Sequence, residues 1–259
     1  MTEIFHQRYG ESDNKLVILH GLFGSGDNWR SIAQKYLIQD FEVYLVDQRN
    51  HGRSFHHNEH SYVTLAQDVI HLLDSLELDQ ITLLGHSMGG KTAMRVAQLA
   101  EDRLAKLIVA DIAPRSYAHS HAKIIEAMKA LPVDSATSRK ELEAFMSERL
   151  SDPVLTGFLL KSVERLENGH YRWRINLPAI EAGYDDIIGW QEIETPIKIP
   201  TLFVAGGASS YIRIDDEPRI HAQFANAQIV EIPKAGHWLH YQAPKPFTDE
   251  IVRFANQSV

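Results

Sequence analysis

Residues 85–92 read Gly85-His86-Ser87-Met88-Gly89-Gly90-Lys91-Thr92, and their spacing fits two incompatible chemistries. Gly85 through Gly89 is G-x-S-x-G, a serine on a sharp strand-to-helix turn whose hydroxyl can attack a carbonyl. Gly85 through Thr92 is also G-x-x-x-x-G-K-[ST], a loop whose amides and lysine cradle the phosphates of a nucleotide. Either use needs an apolar strand before it and a helix after it. Residues 81–84 and 92–97 meet both demands, so local context does not separate the two.

The rest of the chain does. A serine nucleophile needs small neighbours, because the backbone must close tightly around it, and Gly85 and Gly89 provide them. It needs donors for a developing oxyanion. The Met88 N–H, at the start of a helix, is one. The Leu22 N–H, in His20-Gly21-Leu22-Phe23-Gly24 at the end of the first buried strand, is a second. It also needs a base, and Ala235-Gly236-His237-Trp238 follows the last strand, giving the order Ser then His. A phosphate-binding loop accounts for neither the second donor nor the late histidine. It also usually follows the first strand of its domain, whereas two apolar strands precede this one. On the serine reading Lys91 is a surface residue in the first helical turn, and a P-loop NTPase is the remote alternative.

These groups must be held by a scaffold. Short apolar, β-branched runs at 16–20, 42–46, 80–84, 106–110, 201–205 and 228–232 predict buried parallel strands. Helical spacing at 29–37, 64–76, 90–100, 217–224 and 247–255 falls between them. Such alternation predicts an α/β architecture, a mostly parallel central sheet with helices on both faces. Residues 114–190 break the rhythm with amphipathic segments and no convincing strand. The expected organisation is therefore a core of 1–113 and 191–259 with a helical cap inserted at 114–190. A chain of 259 residues, 44% hydrophobic and 23% charged, can bury such a core. A net charge of −8 argues against nucleic acid or an anionic membrane as partner. The chain has no cysteine, which excludes disulfides, thiolate metal sites and a cysteine nucleophile. No signal-like N-terminus and no bilayer-length apolar run is present, so a cytoplasmic location is expected.

With these residues in place, the chain resembles the α/β-hydrolase superfamily over essentially its whole length. The segments His20-Gly21, Asp47 through Ser54, Gly85 through Gly90 and Gly236-His237-Trp238 occur in order at the expected strand ends. More narrowly it is similar to bacterial YbfF-type esterases and the abhydrolase-domain-containing-eleven proteins. That likeness rests on Asp47–Ser54 with Asn50, on Asp111-Ile112-Ala113-Pro114 and on Ala205-Gly206-Gly207. Asn50 suits a tight turn, since Asn accepts positive φ better than most residues. The resemblance implies an α/β-hydrolase fold and a serine esterase needing neither metal nor organic cofactor.

The carboxylate that would orient His237 is ambiguous from the residues alone. The turn at 206–211 holds Ser210 where many relatives have Asp. Asp111 and the pair Asp215/Asp216 are the candidates, and the resemblance implies Asp111; its bland role is capping the start of the insertion. The expected reaction is hydrolysis of a small-molecule acyl ester, acyl-coenzyme A thioesters included. A carbon–carbon bond hydrolase or lyase is the alternative use of the same groups. Phe23 and Trp173 are expected to line the acyl pocket with Met88. Arg115, Lys123, Arg172 and Arg174 would meet a polyanionic leaving group or simply face solvent. His56, His57 and His60, beside Glu59, suggest a solvated loop rather than a metal site. His86 is expected to pack, His51 to belong with Asp47 and Arg49 to a structural turn, and His240 to yield the base's role to His237.

Overall fold

A computed structural model of the chain describes residues 3–257. Seven strands form one sheet in the order β1-β3-β2-β4-β5-β8-β9. They are β1 (His6–Tyr9), β2 (Lys15–Leu19), β3 (Glu42–Val46), β4 (Ile81–His86), β5 (Leu104–Ala110), β8 (Thr201–Gly206) and β9 (Ala227–Ile232). All neighbours pair in parallel except β1, which runs antiparallel to β3 at the edge. Every residue of β3 and β4 is buried, which is why their sequences are continuous rather than alternating apolar runs. β1 is not among the expected strands, because His-Gln-Arg-Tyr on a half-buried edge leaves no apolar signal.

Helices cover both faces, as the α/β reading requires. On one face α2 (Tyr62–Ser75), α3 (Met88–Leu99) and α9 (Glu217–Gln223) pack around Val69, Leu72, Met94 and Ile220. On the other, α1 (Arg30–Ile32), which runs into a π turn over Ala33–Leu37, packs with α10 (Leu239–Gln242) and α11 (Pro244–Ala255). Phe247, Ile251 and Phe254 recur along α11 at spacings of four and three, placing one apolar stripe on the sheet. Ser61 starts α2 by accepting from the Thr64 N–H, while the Thr64 hydroxyl accepts from the Ser61 N–H.

Between β5 and β8 the chain carries α4 (Ala122–Ala130), α5 (Arg139–Leu150), α6 (Pro153–Leu160), α7 (Leu177–Ala182) and α8 (Tyr184–Ile188). These helices share an apolar cluster that includes Leu142, Met146, Leu159 and Ile180, separate from the two sheet-facing clusters. The segment is not all helical. β6 (Val163–Arg165) and β7 (Tyr171–Trp173) pair as a short antiparallel hairpin, turned through Gly169 at φ 88°. Three-residue strands are too short to show a period of two, so the sequence carries no usable sign of them.

Candidate active site

Ser87 follows the last residue of β4 and precedes α3, at φ 54° and ψ −119°. This left-handed conformation costs of order 1–3 kcal/mol at a non-glycine residue, so the surroundings must impose it. The Ser87 N–H donates to Ala110 O at 3.0 Å, and the Ser87 carbonyl accepts from Gly90 and Lys91 at 2.8 and 3.1 Å. The glycines are dictated by space. A Cβ at Gly85 would lie 2.1 Å from Gly89 O, and one at Gly89 would lie 2.3 Å from Leu19 O.

His237 sits in the loop after β9, its Nε2 2.9 Å from Ser87 Oγ and its Nδ1 2.8 Å from Asp111 Oδ2. A carboxylate can only accept, so Nδ1 carries the proton and the Nε2 lone pair faces the Ser87 hydroxyl. Asp111 is fully buried just beyond β5 at φ 50°. Its Oδ1 accepts from the Gly206 N–H at 2.9 Å, and its Oδ2 also accepts from the Ser209 hydroxyl. The His237 ring stacks on Tyr211 with centroids 3.9 Å apart and planes within 19°. Asp215 is exposed, while Asp216 pairs with Arg115 at 2.8 Å and accepts from the Arg213 N–H. Of the three candidate acids, the structure thus brings only Asp111 to His237.

Leu22 and Met88 both line the cavity beside Ser87. Among the described residues neither backbone N–H donates to a protein acceptor, so both amides are without a protein partner. The loop that carries Leu22 is fixed by His20 and by His51, which also belongs to the expected Asp47–Arg49 turn. His20 Nδ1–H donates to Gly21 O at 2.8 Å while its Nε2 accepts from the Gln48 N–H at 3.0 Å. His51 Nδ1–H donates to Arg49 O, and its Nε2 accepts from the Phe23 N–H at 3.2 Å. Each ring needs one bare nitrogen to do this, so both must be neutral. Burial drives their pKa values down to about 4 for His20 and about 3 for His51, which fits. Ser162 reaches over to donate to Phe23 O at 2.9 Å. His86 Nε2–H donates to His237 O at 2.8 Å, holding the base's own backbone, and burial keeps its pKa far below the usual imidazole range. His240 stacks on Trp29 with centroids 4.3 Å apart, and burial takes it to about 3.

Several expectations need correction. Lys91 is not a surface residue: it is 1% exposed, and its Nζ donates to Ile188 O and Gly189 O at 3.0 and 2.7 Å. Burial, with a smaller contribution from Arg115, lowers its pKa to about 7. The return of the chain after α8 buries it, which no local pattern reveals. Committed to those carbonyls, it is unavailable to a phosphate, and this removes the P-loop reading. Trp173 does not line either cavity at Ser87; its indole donates to Met128 O at 3.1 Å and its ring joins the α4–α8 apolar cluster. β7 directs that ring inward under α4, so an aromatic residue expected at the ligand is spent on packing. His60 is buried rather than solvated, taking Asn50 as a neighbour at 3.3 Å, with a pKa pushed to about 3 by burial. Asn50 has φ 64°, as its turn requires. Arg172 and Arg174 pair with Glu164, and Lys123 lies on a separate surface hollow. Among the described residues no group of three or more His, Asp or Glu is placed to hold a metal ion.

Ser87 lies between two cavities. The one on the Met88 side, of about 430 Å³, is walled in part by Lys91, Arg115 and Arg213, with no carboxylate. The one on the His237 side, of about 300 Å³, is walled by Phe23, Trp29, Phe158, Trp238 and others, with no Lys, Arg, Asp or Glu among them.

The chain matches the family described as alpha/beta hydrolase fold over residues 14–244. It is 40% identical to the sn-1-specific diacylglycerol lipase ABHD11 of Danio rerio, across 95% of this chain and 80% of that protein. It is 37% identical to the esterase YbfF of Escherichia coli, across 95% of this chain and 94% of the relative. A solved structure described as a marine microorganism esterase superposes with a TM-score of 0.95 at 46% identity, covering 98% of this chain and all of that one.

Proposed function

Because this chain belongs to the alpha/beta hydrolase fold family, we propose that it is a carboxylic ester hydrolase working through an acyl-enzyme on Ser87. The observation that carries the reading is the continuous line of hydrogen bonds from Ser87 Oγ through His237 to Asp111, at 2.9 and 2.8 Å. His237 Nε2 takes the hydroxyl proton as Oγ bonds to the acyl carbon. The carbonyl oxygen becomes an oxyanion facing the Leu22 and Met88 amides, where each donor is worth about 10²–10³ in rate. Collapse breaks the bond to the alcohol oxygen, which leaves with the proton from His237. Water, deprotonated by the same imidazole, then releases the acid and restores Ser87. Asp111 keeps the ring in its tautomer and stabilises the imidazolium formed twice per cycle. No step calls for a metal or organic cofactor.

The relatives named esterase and diacylglycerol lipase support ester cleavage. Thioesters, acyl-coenzyme A among them, offer the same carbonyl to the same attack and belong to the proposal. We place the activity in the cytoplasm on a small-molecule ester, with neither nucleic acid nor membrane as partner. The net charge of −8 argues against nucleic acid and an anionic membrane surface as partners; among the described residues no helix is long and apolar enough to cross a membrane. The test is hydrolysis of p-nitrophenyl butyrate by the native protein and by Ser87→Ala. The substituted protein should fold and lose about 10⁴-fold or more in kcat; native-level turnover in it refutes the proposal.

A further inference from the structure

The cavity on the His237 side does not end at the catalytic groups. Four of its wall residues, Asn28, Phe158, Trp238 and His240, also line an outer groove of about 350 Å³ between α6 and α10. At the junction the Phe158 and Trp238 rings stand 5.6 Å apart between centroids. Beyond them the walls are Pro153, Val154 and Gly157 of α6 and Tyr241 of α10, and Lys161 is the single charged residue in the lining. Five large apolar side chains are conspicuously exposed among the described residues. Two of them, Val154 at 52% and Tyr241 at 67%, stand on this groove.

We propose that this track is the leaving-group subsite and that it receives the alkyl chain of a long, uncharged alcohol. The inference rests on the serine-esterase reading. When the tetrahedral intermediate collapses, the alcohol oxygen keeps the electron pair of the breaking bond and takes the proton from His237 Nε2. The alcohol therefore lies on the His237 side of Ser87, and the acyl chain lies toward Met88. The side that the alcohol must occupy is the neutral, aromatic one, and it alone continues to the apolar groove. A polyanionic leaving group such as coenzyme A would meet one lysine there. An alkyl chain would instead cover Val154 and Tyr241 and leave no charge unpaired.

Gly157 gives a clean test, because a Cβ added there meets no atom within 4 Å. It lies within α6, so a tryptophan at that position fills the groove without forcing the helix. Acetate esters of ethanol, butanol, octanol and decanol, and ethyl esters of acids of the same lengths, would be assayed on native protein, Gly157→Trp and Ser87→Ala. The native kcat/KM should rise by up to about fourfold for each alcohol methylene that leaves water, until the groove is full. Gly157→Trp should lose about tenfold or more on decyl acetate while ethyl acetate and ethyl decanoate are unchanged. The proposal is overturned if the native rate ignores alcohol length, if Gly157→Trp slows ethyl decanoate instead, or if acetyl-coenzyme A outruns decyl acetate. Ethyl acetate turnover that vanishes in Ser87→Ala keeps the serine-esterase reading standing in any of those cases; its persistence would remove that reading separately.

Discussion

The strand ends and the α4–α8 segment meet over Ser87, and they are held in place by different forces. Around the strand ends, groups that react or orient are fixed by directional bonds among buried polar atoms: Asp111 to Gly206, His20 to Gln48, His51 to Phe23, His86 to His237. The segment above them is held by an apolar cluster of its own and tied down at few polar points. These include Ser162 to Phe23, Asn176 to Asn50 and His57, Tyr62 to Ile187, and Lys91 to Ile188 and Gly189. Hydrogen bonds fix position to fractions of an ångström, whereas apolar contact fixes shape and tolerates exchange of similar volumes. On the proposed mechanism, the polar-bonded strand ends would carry the chemistry and the apolar segment would shape the substrate's space.

The largest effect expected from this contrast lies at Asp111. Asp111→Asn should lower kcat on p-nitrophenyl butyrate by about 10³–10⁴-fold, whereas Asp215→Asn should change it by less than about twofold. Equal losses in the two would break the assignment of orientation to the β5 end.

A second expectation concerns acid. His20, His51 and His240 fold with pKa values of about 4, 3 and 3, below the ordinary 6.5, because burial penalises their charged forms. Between those values and 6.5 the unfolded chain binds protons that the folded chain does not. Folding stability therefore falls as pH drops below 6.5, by about 2 kcal/mol per histidine at pH 5. Urea midpoints at pH 7.5, 6 and 5 should decline steeply, and His240→Phe, which can keep the stack on Trp29, should soften the decline. A flat series would contradict the neutral-histidine scaffold.

Lys91→Met should cost about 1–3 kcal/mol, since it leaves two buried carbonyls without their donor; the melting temperature reports it. Trp173→Phe, within the upper segment, should cost about 1 kcal/mol for one lost hydrogen bond and leave ester turnover unaltered. A fall in kcat there would put Trp173 back at the ligand.

The sequence exposes what is local and hides what depends on partners far along the chain. Ser87 and its glycines stand in one pentapeptide, and His237 is marked by a glycine and by the strand before it. Five of the six expected strands begin within one residue of their positions in the fold, and the sixth, expected at 106, begins at Leu104. Asp111 is a single carboxylate at a strand end, and no general catalytic pattern surrounds it, so its strand-end place and the family resemblance carried by Asp111-Ile112-Ala113-Pro114 are what set it apart from Asp215 and Asp216. Lys91 departs from expectation because a lysine in a first helical turn normally faces water, whereas this one is buried. Its burial comes from residues nearly a hundred positions later. The turn of His51 is legible locally, but the bracing by His20 and His51 across 28 residues of chain is not.

The most direct test is to inactivate the native protein with a serine-directed fluorophosphonate and map the adduct by peptide mass. Ser87, in contact with the His237 imidazole, should carry the whole label, one per chain, with loss of ester hydrolysis in proportion. Labelling at another residue, or full turnover by the labelled protein, would contradict the assignment of Ser87 as nucleophile.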